Sequence, residues 1–322
     1  MTEPGPSPDL PLVGRLAPSP TGLLHLGHAR TFLFAWWSIR SRGGRIVLRV
    51  EDLDGARASP EFRDAALRDL EWLGLDWDGT PSVQTEHLDR LESAVVRLLA
   101  MGRAYPCVCS RSDLRTAQSA PHPGDREPRY PGTCRGRFET PADAERESGR
   151  AAGIRLKVPA GDVTIRDTLS GIHTLDVQAS VGDFLVARRG GAPAYQLAVV
   201  VDDAAEGVTE VLRGDDLLPS TFRQWHVQVA LGLPHPIWAH VPLVLDGAGR
   251  RLAKRVDSLS LAELRARGAD PRAIVRWVAD SAGMPGGGLV TAAELTPHFS
   301  LEHLDRRPVR ADAAVLERIV AS

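Results

Sequence analysis

Apolar residues fall along this chain in short runs whose spacing alternates between strand-like and helix-like. Val13 to Ala17 reads as a short strand, followed by a Pro-rich turn. From Gly27 the residues Phe32, Leu33, Phe34, Trp36 and Trp37 predict a helix to about Arg42, stopped by Gly43-Gly44. Arg45 to Val50 predicts a second, well-buried strand. Strand, helix and strand in about forty residues form one βαβ unit of a parallel sheet. Pro60 opens another helix through Phe62, Ala65, Ala66, Leu67, Leu70 and Trp72, ending near Gly74. Leu88 to Leu99 repeats that pattern.

From Tyr105 to about Arg150 the periodicity fades, and Pro, Gly, Arg and Cys dominate. This segment reads as the start of an insertion. Ile154 to Val158, Val163 to Asp167 and Ile172 to Val177 read as short alternating strands. Phe184 to Ala187 and Ala194 to Val201 read as buried strands, the second ending at Asp202-Asp203. A helix over Ser220 to Leu231 follows. Pro242 to Leu245 and the loop Asp246 to Gly249 then lead to a basic segment. Residues 259–322 read as amphipathic helix with a break at Gly286 to Gly288, and no internal repeat is visible.

Composition narrows the chemistry. Of 322 residues, 43% are hydrophobic, enough for a packed core. The formal net charge is −2, so nucleic-acid contact would have to come from local Arg clusters. No run approaches the roughly 18 apolar residues of a membrane span. Residues 1–12 are polar and Pro-rich, and are expected to form a disordered lead. Only three cysteines occur, all between positions 107 and 134. That pattern argues for metal or free thiols in a reducing compartment, here the cytoplasm.

Two segments carry candidate chemistry. His25 and His28 flank Gly27 after a turn stiffened by Pro18 and Pro20. Imidazoles at a helix start can hold phosphate oxygens as charge develops, and the helix N-terminus favours an anion. Gly27 lets a nucleotide approach the backbone without a Cβ in the way. Arg251-Leu252-Ala253-Lys254-Arg255 is a short basic loop able to neutralise a leaving pyrophosphate. Separately, Cys107, Cys109 and Cys134 offer three of the four ligands that tetrahedral Zn2+ takes. His122 and Tyr130 are both available as the fourth, imidazole being the commoner ligand.

Arg15 to His28 closely resembles the "HIGH" signature of class I aminoacyl-tRNA synthetases, in the glutamyl/glutaminyl branch. Arg251 to Arg255 resembles the matching "KMSKS" loop. Arg49 to Asp54, Tyr195 to Asp203 and Leu212 to Leu217 are also similar to that branch. The matches are ordered and span residues 15 to 255. Two positions depart from the pattern: Arg251 stands for the usual first lysine and Ala253 for the usual serine.

The resemblance implies an α/β fold: a Rossmann-like parallel sheet, an inserted zinc-bearing α+β subdomain and a short helical C-terminal region. The expected limits are 13–104 and 184–257 for the catalytic halves, 105–183 for the insertion and 258–322 for the C-terminal region. It implies ATP-dependent activation of L-glutamate, with Mg2+ accompanying ATP. His25, Gly27, His28 and Lys254 would meet ATP, and His25, His28 and Lys254 would be catalytic. Arg15, Leu16, Ala17, Pro18, Ser19, Glu51, Tyr195 and Arg213 would form the glutamate site. The two arginines would grip carboxylates, Glu51 would hold the α-ammonium, and Tyr195 would add a phenol hydrogen bond. Asp202 and Asp203 are expected to be structural or to contact ribose. In the family pattern Tyr130 is the fourth ligand of a structural zinc, beside Cys107, Cys109 and Cys134.

Only 67 residues follow Arg255 in this chain of 322, too few for an anticodon-binding domain of usual size. That length resembles a short group within the branch. Its members attach glutamate to the queuosine base at the wobble position of tRNA(Asp). A monomer with no membrane association is expected. The alternative is charging of the 3′ end of tRNA(Glu) by a shortened enzyme.

Overall fold

A computed structural model describes residues 11–110, 112–114, 129–250, 252 and 260–322. His122, Lys254, Arg251, Ala253, Arg255 and most of the expected N-terminal lead lie outside the described residues. No described helix is long and apolar enough to cross a membrane.

The chain opens as β1 (Val13–Leu16), α1 (Leu26–Arg40) and β2 (Arg45–Val50), with β1 and β2 parallel. Helix α1 is buried on nearly all sides, through Leu33, Phe34, Trp36, Trp37 and Ile39. It lies so close to β1 that a Cβ on Gly14 would sit 2.3 Å from Ile39 Cγ1. Helix α2 (Pro60–Trp72) starts where Ser59 Oγ accepts the Phe62 N–H at 3.2 Å and Pro60 presets the first turn. β3 (Ser82–Val83) joins β2 in parallel, and α3 (Leu88–Ala100) follows.

The next stretch builds a second, antiparallel sheet. β4 (Ala104–Cys107), α4 (Pro141–Ser148) and β5 (Gly153–Leu156) come first, and β4 pairs with β5. The hairpin β6 (Val163–Asp167) and β7 (Gly171–Leu175) and the short α5 (Val177–Ser180) intervene before β8 (Leu185–Ala187), the third strand of this sheet. β8 pairs with β5. The hairpin does not stay in this sheet, because Asp167 of β6 pairs in parallel with Trp238 of a later strand. The expected limits of 105–183 thus enclose two strands that pair with the main sheet, and omit β8.

Helix α6 (Tyr195–Ala205) corrects the expected strand over Ala194 to Val201. Leu197, Ala198, Val199 and Val200 are all buried. An apolar run buried all round carries no alternation to tell helix from strand. β9 (Glu210–Gly214), α7 (Leu218–Leu231) and β10 (Ile237–Val241) form a second parallel βαβ unit. Thr209 joins the halves: its N–H donates to Val13 O at 2.8 Å, and its Oγ1 accepts the Val13 N–H at 2.9 Å. Across the molecule the strands therefore run β3-β2-β1-β9-β10-β6-β7.

The C-terminal region is helical apart from one strand. β11 (Val244–Leu245) precedes α8 (Leu261–Ala266), α9 (Pro271–Ser281), α10 (Ala292–Leu295), β12 (Val309–Arg310) and α11 (Ala313–Val320). β12 pairs in parallel with β11. Trp37 Nε1 donates to Ala292 O at 2.8 Å, and Phe34 and Trp37 both pack on Phe299. This region therefore shares its hydrophobic core with α1.

Candidate active site

The order of connections reverses between β1 and β9. β1 leads through α1 to β2 on one side, and β9 leads through α7 to β10 on the other. In open α/β sheets this is where ligands bind, beyond the carboxyl ends of the strands. The sequence-predicted residues gather there. Arg15 lies on β1 and Arg213 on β9. Glu51 follows the last residue of β2, and Tyr195 begins α6. Leu16 is fully buried under the turn, so it serves the core. The turn 17–20 is tied down because Pro18 O accepts the Glu51 N–H at 3.0 Å and Pro20 O accepts the Ser59 N–H at 3.1 Å. Ser19, Glu51 and Tyr195, with Gln84, Arg188 and Ala194, line a cavity of about 390 Å3.

The buried charges in this region form one network. Arg49 is fully buried and reaches three carboxylates: Asp203 at 2.7 Å, Glu51 at 3.1 Å and Glu206 at 2.6 Å. Arg15 Nε lies 3.2 Å from Asp203. Asp202 is held by Gln84 at 2.7 Å and Arg90 at 2.6 Å. Asp202 and Asp203 are thus part of the scaffold. Burial raises the Glu51 carboxyl above its ordinary value, opposed by Arg49 and Arg15.

Arg213 is different. It is 4% exposed, and among the described residues no carboxylate pairs with it. Burial lowers its pKa, and Arg15 is near enough to lower it further. A buried guanidinium that lacks a carboxylate and lies near a second one is suited to an acidic ligand.

At the start of α1, His25 Nδ1 accepts the Gly27 N–H and His28 Nδ1 accepts the His25 N–H, both at 3.1 Å. A ring nitrogen that accepts a hydrogen bond carries no proton. Each neutral imidazole therefore has its proton on Nε2, the form that donates to a phosphate oxygen. The rings lie against each other, tilted by 32°, with centroids 3.8 Å apart. Gly27 is required for that arrangement, because a Cβ there would lie 2.9 Å from His25 Cε1. The lysine loop lies outside the described residues, but its flanks do not. Leu252 N–H donates to Val244 O at 3.0 Å. Ser260 bridges to His25, and Leu261 N–H donates to Leu24 O at 2.8 Å. The segment that follows the lysine loop is therefore paired with the histidine turn.

The cysteine cluster stands apart, at the end of β4. The Sγ atoms of Cys107, Cys109 and Cys134 all lie within 4.8 Å of one another. Tyr130 Oη lies 3.4 Å from Cys107 Sγ and accepts the Cys134 N–H at 2.8 Å. Burial opposes ionisation of Cys107, yet Arg155, 3.2 Å away, and the Tyr130 hydroxyl outweigh it and lower the thiol pKa. Burial and the neighbouring thiols push Cys109 up to about 12. Such a set suits a soft dication, which would draw off the remaining thiol protons. Sequence reasoning did not find Arg155, Asp183 or Gly182, which frame this cluster. Asp183 accepts from Tyr105 Oη at 2.6 Å and from Val158 N–H at 2.8 Å. A Cβ on Gly182, whose φ is +76°, would lie 2.2 Å from Tyr130 O.

Residues 11–318 match the family described as tRNA synthetases class I (E and Q), catalytic domain, and the chain belongs to that family. A glutamyl-Q tRNA(Asp) synthetase of Symbiobacterium thermophilum is 44% identical, over 95% of this chain and 97% of that protein. A glutamate–tRNA ligase of Nitratidesulfovibrio vulgaris is 40% identical over 95% of this chain, which spans 65% of it. The chain also superposes on the crystal structure of a glutamate tRNA ligase from Elizabethkingia meningosepticum in complex with its amino acid. That match has a TM-score of 0.80 at 25% identity, covering 95% of this chain and 68% of the other.

Proposed function

We propose that this ligase activates L-glutamate with ATP and transfers it to the queuosine base at the wobble position of tRNA(Asp). One observation carries the choice of acceptor: the glutamyl-Q relative is the more identical, and is matched over nearly its whole length. An α-carboxylate oxygen of glutamate bonds to the ATP α-phosphorus as the bond to pyrophosphate breaks. A hydroxyl of the queuosine cyclopentenediol then attacks the activated carbonyl, releasing AMP and a proton. No protein nucleophile is needed, so catalysis is positioning and charge stabilisation.

His25 and His28 hold phosphate oxygens through Nε2–H. Lys254 neutralises the departing pyrophosphate, and Gly27 keeps the His25 ring in place. Arg15 and Arg213 hold carboxylates, Glu51 the α-ammonium, and Tyr195 with Ser19 lines the pocket beyond Ala17 and Pro18. Mg2+ travels with ATP. Cys107, Cys109, Tyr130 and Cys134 hold one structural Zn2+, which pins the inserted subdomain. The enzyme works as a cytoplasmic monomer.

The test is glutamate transfer to tRNA(Asp) with and without queuosine, each with and without its 3′-terminal adenosine. Transfer should need queuosine and survive loss of the adenosine. Transfer to tRNA(Glu) that needs its 3′-terminal adenosine, with none to tRNA(Asp), would assign the chain to 3′-end charging. Lys254→Ala should abolish glutamate-dependent ATP–pyrophosphate exchange while circular dichroism stays unchanged; exchange at the wild-type rate removes Lys254 from the mechanism.

A further inference from the structure

Arg213 is gripped on two of its three nitrogens. Nε donates to His240 Nε2 at 3.0 Å, and Nη2 donates to Thr221 Oγ1 at 2.8 Å. Nη1 is buried without a hydrogen-bond partner among the described residues. Behind the imidazole, His240 Nδ1 lies 2.6 Å from Asp167 Oδ2. Asp167 Oδ1 accepts the N–H groups of Leu169 at 3.0 Å and Ser170 at 2.7 Å, so this carboxylate cannot swing away. Asp167, Thr221 and His240 are each no more than 2% exposed.

The proton positions follow from the donors. Arg213 Nε always carries hydrogen, so His240 Nε2 must accept, and the imidazole proton sits on Nδ1 facing Asp167. Burial lowers the His240 pKa to about 4, which keeps the ring neutral. A carboxylate placed directly on Arg213 would orient it but cancel its charge. A neutral imidazole orients it and leaves the charge available.

We propose that Asp167 and His240 are positioning residues that fix the direction of Arg213, so that its Nη1 is held ready for a substrate carboxylate. The inference rests on the glutamate-activating reading. It uses residues from three separate strands: Asp167 on β6, Arg213 on β9 and His240 on β10. The β6–β10 pairing at Asp167 and Trp238 brings the carboxylate into place.

The test is glutamate-dependent ATP–pyrophosphate exchange by wild type, His240→Gln, His240→Asn and Asp167→Asn. Glutamine can place Oε1 where Nε2 lies and still accept from Arg213; asparagine is too short. His240→Asn should raise the KM for glutamate by roughly tenfold to a hundredfold, the worth of a hydrogen bond to a charged group, with the KM for ATP moved less than about twofold. His240→Gln should recover most of that loss. Asp167→Asn keeps the backbone contacts but frees the tautomer, and should raise the glutamate KM without moving the ATP KM. It carries the test if His240→Asn does not fold. An unchanged glutamate KM, equal losses for both substrates, or no difference between Gln and Asn at 240 would overturn the relay. Absence of glutamate-dependent exchange in the wild type would instead defeat the functional reading.

Discussion

A buried cation without a counter-charge is costly, and a protein keeps one where a ligand supplies the missing anion. Arg213 is one such residue, with Nη1 buried and without a hydrogen-bond partner among the described residues. Arg49, equally buried, is surrounded by three carboxylates and belongs to the scaffold. The sequence motif names both arginines, but nothing in it distinguishes a satisfied guanidinium from an unsatisfied one. That difference needs Asp203, Glu206 and His240, which lie more than 25 residues from their partners and reach them only through folding. Gly182 is another residue whose role the sequence hides. Its positive φ and the closeness of Tyr130 O leave no room for a side chain. Gly182→Ala should displace Tyr130 and lower the metal content, read by atomic absorption. The wild type should hold about one zinc per chain, and Cys107→Ala/Cys134→Ala none. A zinc-replete Gly182→Ala protein would show that the Tyr130 segment does not need that glycine.

At the scale of elements, the amphipathic and flanked ones were legible: α1, β2, α2, α3 and α7 all form where the apolar spacing puts them. α6 was not, because a helix buried on most faces reads like a buried strand. β9 and β10 were missed although Gly207 and Gly214 bracket the first and Pro236 and Pro242 the second. How elements meet was invisible as well. Asp69 of α2 pairs with Arg265 of α8 at 2.8 Å, joining a helix near the N-terminus to the one after the lysine loop. Burial raises Asp69 to about 6, despite the pull of Arg265 and Arg68. An acid whose folded pKa is raised stabilises the fold most below its unfolded value, near 3.8, and that contribution is lost as pH rises through about 6. Wild type should therefore gain about 1 kcal/mol over Asp69→Asn when the pH falls from 7 to 5, measured by urea unfolding. A constant difference between the two would mean that Asp69 titrates normally.

Across the whole molecule, the C-terminal region is built into the catalytic body. Leu261, Leu264, Ile274, Val278, Leu304 and Ile319 share one core with Trp37 and Leu33. Removing residues 305–322 should lower the melting temperature and raise the KM for ATP, because β12 is the partner of β11. If ATP kinetics were untouched by that truncation, the tail would be dispensable packing.

That pairing sets an order of events in synthesis. Val309 and Arg310 clasp Val244 and Leu245, just upstream of the segment proposed to embrace the triphosphate. A ribosome that has translated the lysine loop but not residue 310 carries a chain with every proposed catalytic side chain and an unbraced approach to one of them. Nucleotide competence should appear only after residues 309 and 310 are free of the exit tunnel and that strand locks down.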